Sequence, residues 1–180
     1  MEDFHSMLLK RHSIRRYTDE VIDTEDVRLI IEAALLAPSS KSSRPWQFVA
    51  VDDRGVLDRM AECKPAGAVP LKKAPLAIVV CADSSLSDVW VEDASVAASY
   101  MQLQAEALGL GSCWIQIRGR YGADGMPAEE YLQELLGIPE TINILCVVTF
   151  GHKDEERRPV DPDKLLWEKV HVGKWNPVNE

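Results

Sequence analysis

Residues 107–117 read Ala107-Leu108-Gly109-Leu110-Gly111-Ser112-Cys113-Trp114-Ile115-Gln116-Ile117. The Gly-x-Gly spacing invites comparison with a dinucleotide-binding turn, but that turn follows a strand and opens a helix. Here the order is reversed. The glycines close a helix, which makes helix C-capping the better account of them, and an apolar strand begins at Ser112.

The segment upstream, Val89 to Leu108, is helical, and from Ala94 onward it carries one charge, Glu106. Ala94, Ser95, Ala97, Ala98, Ser99, Ala105 and Ala107 make it a helix of small residues. A helix without a polar stripe is buried all round. It is expected in the central core, at a subunit contact where small side chains admit a second helix, or in both.

Two further apolar runs have strand length. Leu76–Ala82 is continuous and expects burial on both faces, and Ile144–Phe150 is similar. Trp46–Val51 reads as a fourth strand. A helix is expected over residues 3–11, and another from about Glu25 to Leu36. In the second, Thr24 is the candidate N-cap, Val27, Ile30, Ile31, Ala34 and Leu35 share a face, and Pro38 forces a stop. Shorter helices are expected near Gly55–Glu62 and Ala128–Leu136, the latter closed by Gly137. The polar loop Ser39–Pro45 lies between the second helix and the first strand.

The chain has 180 residues, enough for one domain with a sizeable core, and its 46% hydrophobic content excludes disorder. A formal net charge of −9 argues against nucleic acid as a partner. No apolar run approaches membrane-spanning length, and Met1–His5 does not resemble a secretory leader. Cys63, Cys81, Cys113 and Cys146 are widely spaced, with no CxxC pair. Three of them sit inside apolar runs and read as small buried hydrophobes, with no metal expected, in a reduced cytoplasmic protein.

Against this acidic background, Arg11-His12-Ser13-Ile14-Arg15-Arg16 is a compact basic run. Arginine holds phosphate bidentately and stays charged at any relevant pH. A small phosphorylated ligand suits such a cluster, and so does the solvated end of a helix. Beyond Gly151 the tail is polar and rich in proline, yet it keeps Trp167 and Trp175, rings expected to dock on a surface. Asp52-Asp53 and Glu92-Asp93 read as solvated ends of elements. His152 and His171 read as surface residues, and Ser39-Ser40 lacks the glycine elbow of a nucleophile. Trp90 either lines an entrance or anchors a loop.

Taken in order, the RHSIRR run, Ala37-Pro38-Ser39-Ser40, Arg44-Pro45-Trp46-Gln47-Phe48, the small-residue helix with residues 107–115, and Phe150-Gly151 with its tail resemble the nitroreductase-like family of FMN-dependent NAD(P)H oxidoreductases. The resemblance spans essentially the whole chain. It implies an α+β fold, with a mixed, mainly antiparallel sheet flanked by helices in an intertwined homodimer. Residues 1–180 would form a single domain, with 151–180 as an extension packing on the partner subunit. Two FMN sites would lie at the dimer interface. Arg11, His12, Ser13 and Arg15 would meet the phosphate and ribityl chain, two arginine forks and a hydroxyl suiting a near-dianion. Pro38, Ser39 and Ser40 would approach the flavin from the other subunit. Ile115 and Gln116 would place their main chain beside flavin N5. Lys164, or else Arg157 or Arg158, would be a further phosphate cation.

Two positions depart from the family pattern Asn-x-Gln-Pro-Trp, where Ser42 replaces the Asn and Arg44 the Gln. Ser42 offers fewer hydrogen bonds to the flavin ring, and Arg44 would place a cation near N1 and the C2 carbonyl. The implied function is hydride transfer from NAD(P)H to the flavin, then to a small acceptor such as a nitroaromatic, a quinone or an enone. No side-chain acid or base is named. The alternatives are a non-catalytic flavin-binding or redox-sensing dimer, or another flavin reaction of the same family.

Overall fold

The apolar runs become one antiparallel sheet. The computed structural model describes residues 3–175. Its strands are β1 (Trp46–Val51), β2 (Leu76–Asp83), β3 (Gly111–Gln116) and β4 (Ile142–Gly151), in the order β1-β2-β4-β3. Every adjacent pair is antiparallel. A single parallel bridge, Ser13 to Ser112, supplies the mixed character that the resemblance implies.

The two central strands are the most apolar because both their faces are covered. Seven of the eight residues of β2 and eight of the ten of β4 are buried. Each fully buried Val, Leu or Ile contributes on the order of 1.5–3 kcal/mol, which makes this pair the centre of stability. One face carries Ile78, Val80, Cys146, Val148 and Phe150 against the helices α2 (Thr24–Leu35) and α4 (Trp90–Ala107). The other carries Ala77, Val79, Ile144 and Val147 in a second core that includes Leu57 and Met60 of α3 (Arg54–Met60) and Ala128 and Leu132 of α5 (Ala128–Leu136). All four cysteines are free and buried.

Three local expectations are corrected. The N-cap of α2 is Asp23, not Thr24, because its carboxylate accepts from the Glu25 N–H at 2.8 Å while Thr24 is already helical. Leu35 leaves the buried face of that helix and is half-exposed. The helix α4 is not enclosed all round. Asp93, Ala94, Ala97, Ala98, Met101 and Ala105 face inward, while Ser99, Tyr100 and Ala107 remain exposed. Its Ser95 and Ser99 hydroxyls bond back to Val91 O and Ser95 O, so the missing charge does not leave them unsatisfied.

The chain divides into two compact units. The larger is His12–Glu156 and contains the sheet and both cores. The smaller joins the described residues of Met1–Arg11 to those of Arg157–Glu180. In it, the helix α1 (Phe4–Lys10) is capped by Asp3, and its Leu9 carbonyl accepts from Val160 N–H at 2.8 Å. Trp167 and Trp175 are exposed in this unit, and the Trp175 ring lies tilted against His171, ring centroids 4.2 Å apart.

Candidate functional site

The basic run crosses the end of the sheet where β3 starts and β4 finishes. Ile14 and Tyr17 point inward and are buried, while Arg15 and Arg16 point outward. The Ile14 N–H donates to Ser112 O at 2.9 Å. The Tyr17 hydroxyl donates to Ile14 O at 2.6 Å and lies 2.8 Å from Thr149 Oγ1. Burial pushes the Tyr17 phenol above its ordinary range. Glu155 fixes the outward part, its Oε1 accepting from the N–H groups of Arg15 at 2.6 Å and Arg16 at 3.3 Å.

Two glycines make room for this crossing. Gly111 and Gly151 face each other across the β3–β4 pair. A Cβ on Gly111 would lie 2.8 Å from Ile14 Cβ, and one on Gly151 would lie 2.8 Å from the Tyr17 ring and from Pro75. No side chain fits at either position while the segment is seated. Gly111 therefore does more than follow a capped helix end. Gly109, at φ 79°, is the residue that makes the left-handed exit from α4.

The strand β3 is an edge strand, so alternate residues turn their main-chain groups away from β4. Ser112 O takes the Ile14 N–H, and Gln116 O takes the Lys64 ammonium at 2.7 Å. The N–H and carbonyl of one extended residue face the same way, so Gln116 N–H also points to the open edge. Ser112 and Gln116 are four residues apart, about 13 Å along the strand. The Gln116 side chain is already engaged: its oxygen accepts from Trp114 Nε1, and its amide donates to Arg118 O, each at 2.9 Å. Ile115 is buried in the core. Burial pushes the Lys64 ammonium below its ordinary value. Burial raises the Cys113 thiol, with Arg15 and Lys64 both opposing that rise.

The Ser39–Pro45 loop is held in a strained shape. Lys41, Ser42 and Arg44 have φ of 52°, 55° and 48°, which non-glycine residues seldom adopt. The Arg44 N–H donates to Ser39 Oγ at 2.8 Å. Asp93 Oδ1 accepts from Ser40 N–H at 2.7 Å, and its Oδ2 accepts from the Ser87 hydroxyl at 2.8 Å. Asp93 and Ser87 are both buried, which corrects the expectation of a solvated residue for Asp93, while Glu92 is exposed as expected. A cavity of about 290 Å³ lies between Ser40, Lys41 and Ser43 on one side and Ser85, Ser87 and Asp88 on the other. The buried Ser43 Oγ and Trp46 Nε1 have no partner among the described residues.

Strand order and register keep this loop away from the basic run. The loop leads into β1 at one edge of the sheet, and the run lies beside β3 at the other, about three strand spacings or 14 Å across. Along the strands, Trp46 sits level with Ala82 and Asn143, whereas Ser112 sits level with Phe150 and Leu76. The two groups occupy diagonal corners. The larger unit therefore brings Ser13, Arg15, Ile115 and Gln116 to one edge, and Pro38, Ser39, Ser40, Ser42 and Arg44 to another. His12 belongs to the same unit, whereas Arg11 and Lys164 belong to the smaller one. Arg11 closes α1, donating its N–H to Met7 O at 3.0 Å, and Lys164 is an exposed ammonium 3.9 Å from Asp161.

Sequence reasoning did not single out Lys64, Asp93, Glu155 or the two seat glycines as site residues. Each acts through a partner distant in the chain, and only the lone buried position of Asp93 in an apolar helix offered any local signal.

The nitroreductase family model matches residues 8–82 and 63–152. An Archaeoglobus fulgidus protein, provisionally named NADH dehydrogenase/NAD(P)H nitroreductase, is 42% identical, with 97% of this chain and all of the relative covered. A solved FMN-dependent nitroreductase from Clostridium difficile has a TM-score of 0.93 at 46% identity, covering 95% of this chain and 99% of its own. The NADPH:FMN oxidoreductase of Vibrio harveyi, solved with NAD+, has a TM-score of 0.80 at 25% identity, covering 99% and 80%.

Proposed function

We propose, from the premise that this chain belongs to the nitroreductase family, that it is an FMN-dependent oxidoreductase taking hydride from NAD(P)H and passing electrons to a small acceptor such as a nitroaromatic or a quinone. The observation that carries this is the open edge of β3. It has outward-facing Arg15 at its Gly111 end and a main-chain N–H of Gln116 at its other end.

The residues present suit an elongated phosphorylated ligand. Ser13 and Arg15 offer a hydroxyl and a guanidinium to a phosphate, the charge-assisted contact that arginine makes best. Arg11, His12 and Lys164 are carried as further contacts on the sequence resemblance alone. Glu155 keeps the run in place through its main chain, and the exposed Arg15 guanidinium spends one long hydrogen bond, 3.4 Å, on Ser13 O, keeping further donors for the ligand. Gln116 N–H can donate to a ring edge where negative charge grows, and the Lys64 ammonium holds the carbonyl of the same residue, fixing the direction of the main chain there. Bound there, the flavin supplies the hydride and electron chemistry; the protein supplies the grip, the polarisation and the slot.

Pro38, Ser39, Ser40, Ser42 and Arg44 are proposed to serve the same site from a second copy of the chain. Their diagonal separation from the basic run supports this, because one copy of the sheet cannot bring both groups to one small molecule. The exposed face of α4 and the exposed tail tryptophans suit such a homodimer. Free, buried cysteines suit a reducing, cytoplasmic compartment. Among the described residues, no helix is long and apolar enough to cross a membrane.

The test is direct. The purified protein should show a flavin absorption spectrum, or quench FMN fluorescence when the coenzyme is added. Stopped-flow mixing with NADH or NADPH should bleach the flavin band, and a quinone or nitroaromatic should restore it. Failure to take up FMN overturns the proposal. Uptake without bleaching reduces it to a flavin-binding dimer.

A further inference from the structure

We propose that Asp93 is the positioning residue for the flavin-facing loop 39–44, an inference that rests on the flavin-binding function above. Among the described residues, its carboxylate is the buried side-chain group that reaches residues 39–44 from the core. One oxygen holds the Ser40 N–H and the other holds the Ser87 hydroxyl. It thereby ties the loop before β1 to the loop after β2 across the first turn of α4.

The loop needs such a restraint. Its residues at positive φ are lysine, serine and arginine, none of which prefers that region, and no glycine relieves them. Within the loop, Ser39 Oγ holds the Arg44 N–H, and turns close from Ser42 N–H to Ser39 O and from Ser43 N–H to Ser40 O. These bonds join the loop to itself. Pro45 O is held by the Asp83 N–H of β2 at the loop's end, but among the described residues the hydrogen bond from residues 39–44 to a core element is the one to Asp93, so the direction in which Ser39, Ser40 and Arg44 are presented depends on that carboxylate. Removing it leaves the Ser40 N–H without an acceptor.

The experiment uses trypsin. Lys41 is an exposed cleavage site inside the loop, whereas Arg44 precedes Pro45 and resists cutting. In Asp93→Ala, cleavage after Lys41 should accelerate, FMN should bind about tenfold more weakly, and the absorption envelope of the remaining bound flavin should shift. Asp93→Asn should behave nearly as the parent, since an amide oxygen can accept from Ser40 while the amide nitrogen donates to a rotated Ser87 hydroxyl. Asp53→Ala, which removes the N-cap of α3, is the control for general destabilisation and should leave cleavage and flavin spectrum unchanged. Parental cleavage and FMN binding in Asp93→Ala overturn the proposal, as does the same effect in Asp53→Ala. Should Asp93→Ala not fold, Ser87→Ala decides, with a smaller effect of the same sign expected and parental behaviour overturning the inference. If the parent protein takes up no FMN, the flavin function fails, and trypsin cleavage alone then decides whether Asp93 sets the loop.

Discussion

In the proposed site, Arg15 is the residue on which phosphate affinity is expected to turn. Its backbone is fixed by Glu155 and its side chain is exposed, so Arg15→Ala should remove a phosphate contact without disturbing the seat. A charge-assisted hydrogen bond is worth about 1.5–3 kcal/mol, and the FMN dissociation constant should rise by ten- to a hundredfold in fluorescence titration. Arg44 tests a different quantity. Its substitution by Gln keeps a polar, hydrogen-bonding side chain on the same backbone while shortening it and removing the charge. If the guanidinium lies near the ring carbonyl, the flavin reduction potential should fall in Arg44→Gln; an unchanged potential sinks that role. Both arginines were visible in the sequence as chemistry. Glu155, which fixes one of them, was not, because a glutamate in an acidic tail carries no mark of the contact it makes with residues 140 positions away.

At the scale of the element, the β3–β4 pair does two jobs. It is half of the buried sheet, and through Gly111 and Gly151 it is also the seat of the basic run. Gly111→Ala places a methyl group 2.8 Å from Ile14. Overpacking of this kind costs about 1–3 kcal/mol, and here the displaced segment carries Ser13 and Arg15. The variant should therefore lose thermal stability and FMN retention together. A full loss of stability with parental FMN affinity would separate the seat from the site. The sequence showed the glycine but suggested a helix cap, since glycine for a left-handed turn and glycine for a close approach look alike in one dimension. The same limit explains Thr24 and Asp23: adjacent capping residues differ by one position in the chain, and only the hydrogen bond to Glu25 decides between them.

For the molecule as a whole, the proposed sharing of the site between two copies makes assembly testable. Tyr100 is 40% exposed on α4, and Leu36 at the end of α2 is 78% exposed. Tyr100→Glu should shift the protein toward monomer in sedimentation and release FMN in parallel, because the loop residues from the second copy leave with it. A monomeric variant that keeps its flavin would contradict the shared site. Stability should also fall in alkali. Burial raises Cys63 to about 11 and Cys81 to about 12, and it raises Cys113, Cys146 and Tyr17 as well. The unfolded thiols ionise near 9, so above that pH the unfolded chain binds fewer protons than the folded one. Stability present below pH 9 is lost as pH rises through the folded values, and the urea midpoint should drop between pH 8 and pH 10.5.

The sequence by itself determined the strands, the helices and the basic run, since these are written in runs and periods of neighbouring residues. It also placed the loop of Ser39–Pro45 and the small-residue helix in the right order. Only the tertiary structure decided that the run sits on a pair of glycines, that Asp93 is buried under the loop, and that loop and run stand at diagonal corners of the sheet. Those facts depend on strand order, register and contacts between residues far apart in the chain. Side-chain chemistry is local and can be read along one dimension, but where two such groups meet is set by how the whole sheet pairs.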